Sequence, residues 1–433
     1  MPTTTLIRPH YASAFRCIGP ACEDTCCAGW RVDIDAVTYE KYQGIPAGPL
    51  RTMIDEQVVR FPANNADAAP APFARVNMPA SLACPFLNAE RLCQIQVEHG
   101  VEYLSQVCAT FPRTVFFIDQ LEDKTLSLSC PEAARLVLLN PDLLNTDLLS
   151  PDMPNAGVPN PNATTGAGPL RSVDWDEQAA SSLPLRNFFW AVREFSIGLI
   201  RNRRYPLWQR MFLLGTFSRR IEAVVRGDVA RGFPALLKDF SAAVALGSLR
   251  DSLAAIPADL ALQLDMVMQL VRLRIGDGRI QPRLRETLNA FADGVGYPHE
   301  ETLEGQSRQY ALGYARHYAP FFGKKPHILE NLLINMIFRG LFPLGKKLFD
   351  VEATPEPGKE FAMLATEFAL IKGVLIGVAA WHKEKFSTEH VVQTVQVITK
   401  YFEHNSAFLS RAYELLVARK LDDARGLTML LRN

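Results

Sequence analysis

The chain has 433 residues, of which 46 are Lys or Arg and 46 are Asp or Glu, so its formal charge is zero. This balance argues against a surface built throughout for nucleic acid or anionic lipid. With 48% hydrophobic and 21% charged residues, the composition is that of a globular protein, and the length suffices for two or three domains. A large hydrophobic core is therefore expected without disulfides to support it.

The cysteines are confined to the first 130 residues. Random placement would produce this distribution about once in ten thousand chains, so the first third of the chain is predicted to be a cysteine module. No apolar signal segment follows the N-terminal Met, so we expect a cytoplasmic protein. Thiols stay reduced there, and clustered cysteines hold metal more often than they form disulfides. The eight predicted metal ligands are Cys17, Cys22, Cys26, Cys27, Cys84, Cys93, Cys108 and Cys130.

Composition divides the chain into three regions. Residues 1–139 are rich in Pro and Gly and are predicted to be a loop-rich metal or iron–sulfur module with a short strand or hairpin. Residues 140–183 are dense in Pro, Gly and Asn and are predicted to be a linker. Residues 184–433 repeat apolar positions at helical spacing, which predicts an all-α bundle of about eight helices. The predicted fold class is therefore mainly α.

The most apolar helical segment runs from Phe361 to Trp381. It carries Glu367 and Lys372 inside it. Charged residues at the middle of an apolar run are costly in lipid, so this segment is predicted to be a buried helix of the protein core. No membrane partner is expected.

The first cysteine cluster places four thiols within eleven residues, separated by turn-forming residues. Short loops of this kind let several sulfur atoms converge on one centre. Cys26 and Cys27 are adjacent and cannot both point the same way in an extended chain, so one of them serves a second centre or remains a free thiol. After them, Val32 and Ile34 alternate with polar residues, which predicts a short half-buried strand.

The second cluster is more widely spaced and ends at Cys130. Pro131 follows it and suits the first position of a helix, so the helix dipole is expected to favour a thiolate at Cys130. Structural zinc sites normally show paired cysteine hairpins, which this spacing does not match. Iron–sulfur clusters accept irregular spacing and are the preferred prediction, with zinc as the alternative metal and disulfides or inert thiols as the remaining one.

Another candidate site is a polar stripe on an apolar helix, formed by Asn331, Asn335 and Arg339 at i, i+4 and i+8. Buried polar groups must find partners. The stripe therefore either ties helices together or contacts substrate or cofactor.

Several of these motifs resemble a known family. The run from Tyr11 to Asp35, with Phe15, four cysteines and Gly29-Trp30, resembles the N-terminal signature of the flagellin lysine-N-methylases. The CPFL segment at Cys84, Cys93, and Cys108 with Phe111-Pro112 resembles a wider family of cysteine-cluster proteins described as zinc or iron chelators. Residues 331–335, with Phe338-Arg339 and Leu341-Phe342-Pro343, are similar to a motif of the same methylases.

The resemblance implies a function that spacing alone does not show. It implies transfer of a methyl group from S-adenosylmethionine to lysine side chains of flagellin, with a four-iron four-sulfur cluster bound by the cysteines. Glu23 and Asp24 would then hold the substrate ammonium or accept its proton, unless they stabilise their own turn. Asn331, Asn335 and Arg339 become candidates for cofactor binding because the family motif falls on them.

The binding mode of S-adenosylmethionine is left open by the sequence. The glycine triplets at Gly166, Gly276 and Gly294 lack the third glycine of a dinucleotide-binding turn, and none follows a convincing strand. An open iron position of the cluster is the hypothesis for binding its amino and carboxylate groups. The alternative function is an iron- or zinc-binding carrier or electron-transfer protein with a helical interaction domain, and a zinc-stabilised scaffold without catalysis is a third.

Overall fold

The protein is mainly helical, as predicted. The structure is a computed structural model, and most of the predicted linker, together with Gly29 and Trp30, lies outside the residues that it describes. The described residues are 5–9, 11–28, 31–61, 73–79, 83–118, 121–148, 188–225, 227, 229–275, 280–350, 353–403 and 406–433.

The first 148 residues contain short helices and all the strands found in the described part of the chain. The helices are α1 (Tyr11–Ala14), α2 (Ala36–Gln43), α3 (Pro49–Gln57), α4 (Gln94–His99), α5 (Gln106–Thr110) and α6 (Pro131–Leu138). The strands are β1 (Thr5–Pro9), β2 (Asp33–Ile34), β3 (Val58–Arg60), β4 (Ala74–Val76), β5 (Arg113–Ile118), β6 (Leu121–Leu126) and β7 (Leu144–Leu148).

The strands form three small antiparallel sheets, in the orders β1-β7, β2-β4-β3 and β5-β6. The short strand predicted around Val32 and Ile34 is present as β2. Residues 144–148, at the start of the predicted linker, pair with β1 in the register Thr5 to Leu148. The N-terminal module therefore contains more strand than the single strand or hairpin expected from its sequence.

The described residues from 188 onward form helices without strands. These are α7 (Phe189–Arg201), α8 (Leu207–Val225), α9 (Val229–Leu246), α10 (Arg250–Ala254), α11 (Leu260–Ile275), α12 (Pro282–Gly294), α13 (Leu303–Gly313), α14 (Ala319–Lys324), α15 (His327–Arg339), α16 (Pro357–His382), α17 (Thr388–Ile398), α18 (Ser406–Ala418) and α19 (Ala424–Met429). Two π-helical turns, Tyr314–Tyr318 and Thr399–Glu403, follow α13 and α17.

The prediction of an all-α region was right, but the predicted number of helices was too low. The described residues from 188 onward hold thirteen helices, whereas about eight were expected. The additional ones include the short α10, α14 and α19, and α9 carries Pro234 in its interior, which weakens a helical signal in sequence. The stretch from Val391 to Val417 is divided into α17, a π-helical turn and α18, which also raises the number.

Helix α16 contains the apolar segment predicted to be a core helix, and that prediction is confirmed. Its length and composition would allow it to cross a membrane, but 89% of its most apolar window is buried inside the fold. It packs against α8, α11, α12 and α13. At the crossing with α12 a Cβ on Gly294 would lie 1.9 Å from the carbonyl oxygen of Gly377, so the two helix backbones are too close for a side chain there.

The buried hydrophobic residues in the described ranges form two clusters. The larger joins the helices from α7 onward with residues of α1, the β5-β6 hairpin and α6, such as Tyr11, Leu126 and Val137. The smaller is built from residues 32–95, and Cys84, Cys93 and Cys108 pack against its edge. The hydrophobic core of the helical body therefore extends across residue 139, and the predicted domain boundaries stay a prediction.

Candidate functional site

The first cysteine loop is built from tight turns. A turn of 3-10 helix spans Gly19–Ala21, and Gly19 has a φ of +55°, a conformation that favours glycine. The amide of Gly19 donates to Sγ of Cys17 at 3.4 Å, and the thiol of Cys22 donates to the carbonyl of Asp24 at 3.0 Å. Cys17 and Cys26 are exposed. The loop therefore places Cys17 and Cys26 at the surface of the N-terminal region, whereas Cys22 and Cys27 are half-buried.

Backbone pairing brings the second cysteine cluster to this loop. The amide of Cys84 donates to the carbonyl of Cys27 at 2.8 Å, next to a β-bridge between Ala28 and Ala83. A second bridge joins Leu87 to Cys93. Cysteines 57 positions apart in sequence thus become neighbours through hydrogen bonds that the spacing of the cysteines could not reveal.

Cys26 lies at the electrostatic centre of the site. Its negative charge raises the pKa of six other thiols, because Coulomb interactions of this kind act between groups that are close in space. Burial is the larger cause for five of the six, and it raises the pKa of Cys84 to about 11. The six thiols are those of Cys22, Cys27, Cys84, Cys93, Cys108 and Cys130.

The adjacent thiols Cys26 and Cys27 contact each other. A hydrogen bond from Cys27 lowers the pKa of Cys26 to about 7, and the cation of Lys400 adds to this effect. The same hydrogen bond, followed by burial, raises the pKa of Cys27. The thiol of Cys27 thus stabilises the thiolate of Cys26, a contact between neighbours that the extended-chain argument from sequence did not anticipate.

Cys130 is the N-cap of α6, as the sequence predicted, and Pro131 is the first helical residue. The amides of Ala133 and Glu132 hydrogen-bond to its sulfur, but burial outweighs them and raises its pKa to about 12. The helix terminus thus favours the thiolate, as expected, but removal from water costs the charged form more than the helix terminus returns, and the role of Cys130 as a metal ligand stays a prediction.

The donor chemistry of the site fits a group bound by thiolates. All eight thiols are free, and the charge of Cys26 acts on six of the other seven. Soft thiolates are the ligands that iron–sulfur clusters and zinc accept. Among the residues that the structure describes, however, no three His, Cys, Asp or Glu side chains are arranged to hold a metal ion. Binding would therefore require the sulfur atoms to draw together and release their protons.

The two acidic candidates of the loop are both paired with cations from helices. Glu23 contacts Arg135 of α6 and, at 3.6 Å, Arg283 of α12. Asp24 accepts a hydrogen bond from Lys400 at 2.9 Å. The side chain of Glu23 is 28% exposed and that of Asp24 is 12% exposed. Their catalytic role stays a prediction, and the contacts show that both carboxylates also hold the loop against the helices.

The residues that the sequence analysis missed lie on and just after α17. Gln396 donates to Asp24 at 2.7 Å and to the carbonyl of Ser129 at 3.0 Å, and Lys400 donates to Asp24 and to the carbonyl of Thr25 at 3.2 Å. A signal for them exists in the sequence, since Gln396 and Lys400 are polar residues at i and i+4 after an apolar run. That spacing alone did not identify their partners.

The polar stripe of α15 joins this helix to the N-terminal region. Nδ2 of Asn331 donates to the carbonyls of Val137 and Asn140 at 2.9 and 2.6 Å, at the C-terminal end of α6. Nδ2 of Asn335 donates to the hydroxyl of Tyr11 at 2.9 Å and to the carbonyl of Leu126 at 3.1 Å.

The third residue of the stripe, Arg339, pairs with Glu367 of α16 at 3.6 Å, and burial lowers its pKa. Of the two alternatives for the stripe, these contacts support the tie between helices. The cofactor-binding role of Asn331, Asn335 and Arg339 stays a prediction.

Comparison with known proteins places the helical body in a family. The family described as "FliB lysine N-methylase C-terminal domain" matches residues 193–430, from α7 to the end of α19. No solved structure matches the chain.

Three relatives are similar over 143 residues at 32% identity, which is 33% of this chain. They are the flagellar biosynthetic protein FliU of Salmonella muenchen, of which 82% is covered, and the lysine-N-methylases of Salmonella typhimurium and Salmonella choleraesuis, of which 34% is covered. The aligned region thus spans about a third of the length of these two methylases. Because the family match covers more than half of the chain, this protein belongs to the FliB lysine N-methylase family.

Proposed function

We propose that the protein is a methyltransferase that moves methyl groups from S-adenosylmethionine to lysine side chains of flagellin. The observation that carries the proposal is the family match over residues 193–430. The names of the relatives support it, since two are lysine-N-methylases and one is a flagellar biosynthetic protein. The proposal specifies flagellin as the target and S-adenosylmethionine as the methyl donor.

The chemistry assigns tasks to the residues at the cysteine site. The lone pair of a neutral lysine amine attacks the methyl carbon, the carbon–sulfur bond breaks, and its electron pair stays on sulfur. The new C–N bond leaves a positive charge on nitrogen, which is lost as a proton. We assign Glu23 to hold the substrate ammonium, because its side chain is the more exposed of the two acids, at 28% against 12%; it does so beside the cations of Arg135 and Arg283.

Asp24 is the second proposed acid, and its contacts suggest a different task. Lys400 and Gln396 both donate to its Oδ2, at 2.9 and 2.7 Å. These two donors occupy one oxygen of the carboxylate and fix its position. Asp24 therefore fits better as the group that holds the loop in place while Glu23 faces the substrate.

The cysteines around Cys26 are the proposed ligands of an iron–sulfur cluster, with zinc as the alternative metal. Irregular spacing of thiols close in space supports the cluster over a zinc site. A bound four-iron cluster would supply an iron with an open coordination position for the amino and carboxylate groups of S-adenosylmethionine. Substitution of single cysteines identifies the thiols that serve as ligands.

The test is methyl transfer by the full chain purified without oxygen. Iron and sulfide are quantified first, and the protein is then incubated with methyl-labelled S-adenosylmethionine and purified flagellin. We expect label on lysine peptides of flagellin, identified by mass spectrometry, and none on a flagellin whose lysines were acetylated beforehand. A protein with a redox-active cluster and no transfer to lysine would instead support the carrier or electron-transfer function. Zinc without iron or sulfide, together with no transfer, would support the scaffold.

A further inference from the structure

A single buried amide connects three parts of the protein at the edge of the cysteine site. Gln396 of α17 is completely buried. Its Nε2 donates to Oδ2 of Asp24 at 2.7 Å and to the carbonyl of Ser129 at 3.0 Å, and its Oε1 accepts from Nε of Arg283 at 3.1 Å. Both donor hydrogens and the acceptor of this side chain are therefore used, and each goes to a different element.

Two of the three partners of Gln396 lie next to cysteines in the sequence. Asp24 lies between Cys22 and Cys26, and Ser129 immediately precedes Cys130. Because one rigid amide group binds both, it determines the distance between the first cysteine loop and the N-terminus of α6. The two segments are more than one hundred residues apart in sequence, and Gln396 joins them through a helix of the family domain.

Lys400 reinforces the same contact from the π-helical turn that follows α17. Its Nζ donates to Asp24 at 2.9 Å and to the carbonyl of Thr25 at 3.2 Å. Its side chain is 14% exposed. The wider π-helical turn is a local departure from regular helix, and such turns are frequent at functional sites. A cation and an amide thus converge on a single carboxylate oxygen of the cysteine loop.

Loss of these hydrogen bonds should cost free energy. A hydrogen bond to a charged group contributes more than one between neutral groups, and a buried polar group left without its partner is costly. Truncation of Gln396 would leave the buried carbonyl of Ser129 and the half-buried guanidinium of Arg283 without this partner. The cysteine loop would then be held by fewer contacts, and α6 would open more readily at Cys130.

We propose that Gln396 and Lys400 are positioning residues that hold the Cys22–Cys26 segment in place relative to Cys130. This inference rests on the proposed function in one respect, since it takes the cysteine site to be the reactive centre. The placement of the thiols is a property of the chain alone, and it can be measured without a bound metal and without methyl transfer. The helical domain thereby sets the geometry of a site whose sulfur atoms all come from the N-terminal region.

The chain offers a matched control on the same helix. Gln393 lies nearly one turn before Gln396, and its Nε2 donates at 3.1 Å to Glu286 of α12, not to the cysteine loop. Gln393→Ala therefore removes the same side-chain type from the same helix. For Lys400, Lys400→Met removes the charge, and Lys400→Arg restores a cation that can reach a carboxylate.

The readout is the rate of thiol labelling in the full chain, prepared free of metal and fully reduced. Cys130 is 8% exposed and should react slowly with iodoacetamide in the unmodified protein. In Gln396→Ala we expect its labelling to become about tenfold faster, which corresponds to about 1.4 kcal/mol of easier local opening. In Gln393→Ala we expect the rate to stay within about twofold of the unmodified protein.

The inference is overturned if Gln396→Ala and Gln393→Ala label Cys130 at the same rate. If Gln396→Ala does not fold, the Lys400 pair decides. Faster labelling of the half-buried Cys22 in Lys400→Met, restored in Lys400→Arg, supports a positioning role, and equal labelling of Cys22 in both variants contradicts it. Far-ultraviolet circular dichroism of every variant identifies loss of the fold.

A second readout separates this inference from the proposed function. After reconstitution with iron and sulfide, the visible absorption spectrum of Gln396→Ala is compared with that of Gln393→Ala, and an altered spectrum in the first alone agrees with displaced thiols. Flagellin methylation is measured in parallel. If the unmodified protein transfers no methyl group while the labelling pattern is as expected, the proposed function fails and the positioning role stands. If the unmodified protein transfers methyl groups but Gln396→Ala does not change the labelling, the proposed function stands and the positioning role fails.

Discussion

Arg193 and Asp123 form a buried, two-pronged ion pair between the helical body and the N-terminal region. The guanidinium donates to the two carboxylate oxygens at 2.6 and 3.2 Å, and the residues are 1% and 4% exposed. The rings of Phe189, Trp190 and Phe338 surround the guanidinium within 5.0 Å. Because β6 carries Asp123 and α7 carries Arg193, this pair joins the β5-β6 hairpin to the first helix of the family domain.

Removal of one charge from this pair should destabilise the whole protein. In Asp123→Asn the cation of Arg193 stays buried without an opposite charge, and we expect the free energy of unfolding to fall by about 3 to 5 kcal/mol. Urea denaturation measures this. Asp33→Asn is the control, since the Arg31–Asp33 pair has the same 2.6 Å distance but is exposed, and it should cost less than about 1 kcal/mol. Equal losses in both variants would contradict the structural role of burial.

Asn331→Asp should weaken the end of α6. The amide of Asn331 donates to backbone carbonyls at the C-terminus of that helix, whereas an ionised carboxylate can only accept hydrogen bonds and would repel those oxygens. We expect a loss of about 2 kcal/mol or more in the free energy of unfolding, measured by thermal or urea denaturation. Asn289→Asp makes the same chemical change at an exposed position of α12 and should be close to neutral.

Because Lys372 is buried, we expect the stability of the folded protein to increase with pH. Burial lowers the pKa of this lysine from 10.5 to about 7, and its Nζ donates to the carbonyl of Leu431 and to the side chain of Asn433. Between pH 7 and 10.5 the unfolded chain holds the proton that the folded protein has lost. The free energy of unfolding should therefore rise through this window, by up to about 1.4 kcal/mol per pH unit.

The measurement is urea denaturation at several pH values from 6.5 to 9.5, compared with Lys372→Met. The difference between the two proteins isolates this lysine from the thiols, which titrate in the same range. Below pH 7 both states carry the proton, so the cost of a buried cation is fully present there. Lys385→Met, at an exposed position, is the control and should keep the pH dependence of the unmodified protein. Parallel curves for all three proteins would refute the prediction.

Substitution of single cysteines should divide them into two groups. Cys84 interacts with Cys93, Cys108 and Cys26, whereas Cys17 is exposed and accepts a hydrogen bond from the amide of Gly19. We expect Cys84→Ser to lose most bound iron and sulfide after anaerobic reconstitution and Cys17→Ser to retain them, because serine is a poor ligand for iron. Iron and sulfide analysis with the visible spectrum measures this. Loss of metal in Cys17→Ser alone would place the site elsewhere.

Local sequence signals predicted the helices well where those signals are strong. The apolar segment from Phe361 to Trp381 lies within α16, and Cys130 with Pro131 forms the start of α6. Both depend on periodicity or on the shape of proline, which act within one or two turns of helix. The short helices were missed because a few residues carry too little periodic signal, and β7 was missed because its partner β1 lies at the other end of the module.

The sequence by itself determined the class of fold, the membership of a family and the concentration of thiols in the N-terminal region. Composition, periodicity and local motifs suffice for these because each depends on residues close together in the chain. Only the tertiary structure decided that the backbone of Cys84 pairs with that of Cys27, that Glu23 and Asp24 are paired with cations, and that Gln396 connects the two cysteine segments. These contacts join distant parts of the chain. Their geometry arises from tertiary packing, which local sequence patterns do not specify.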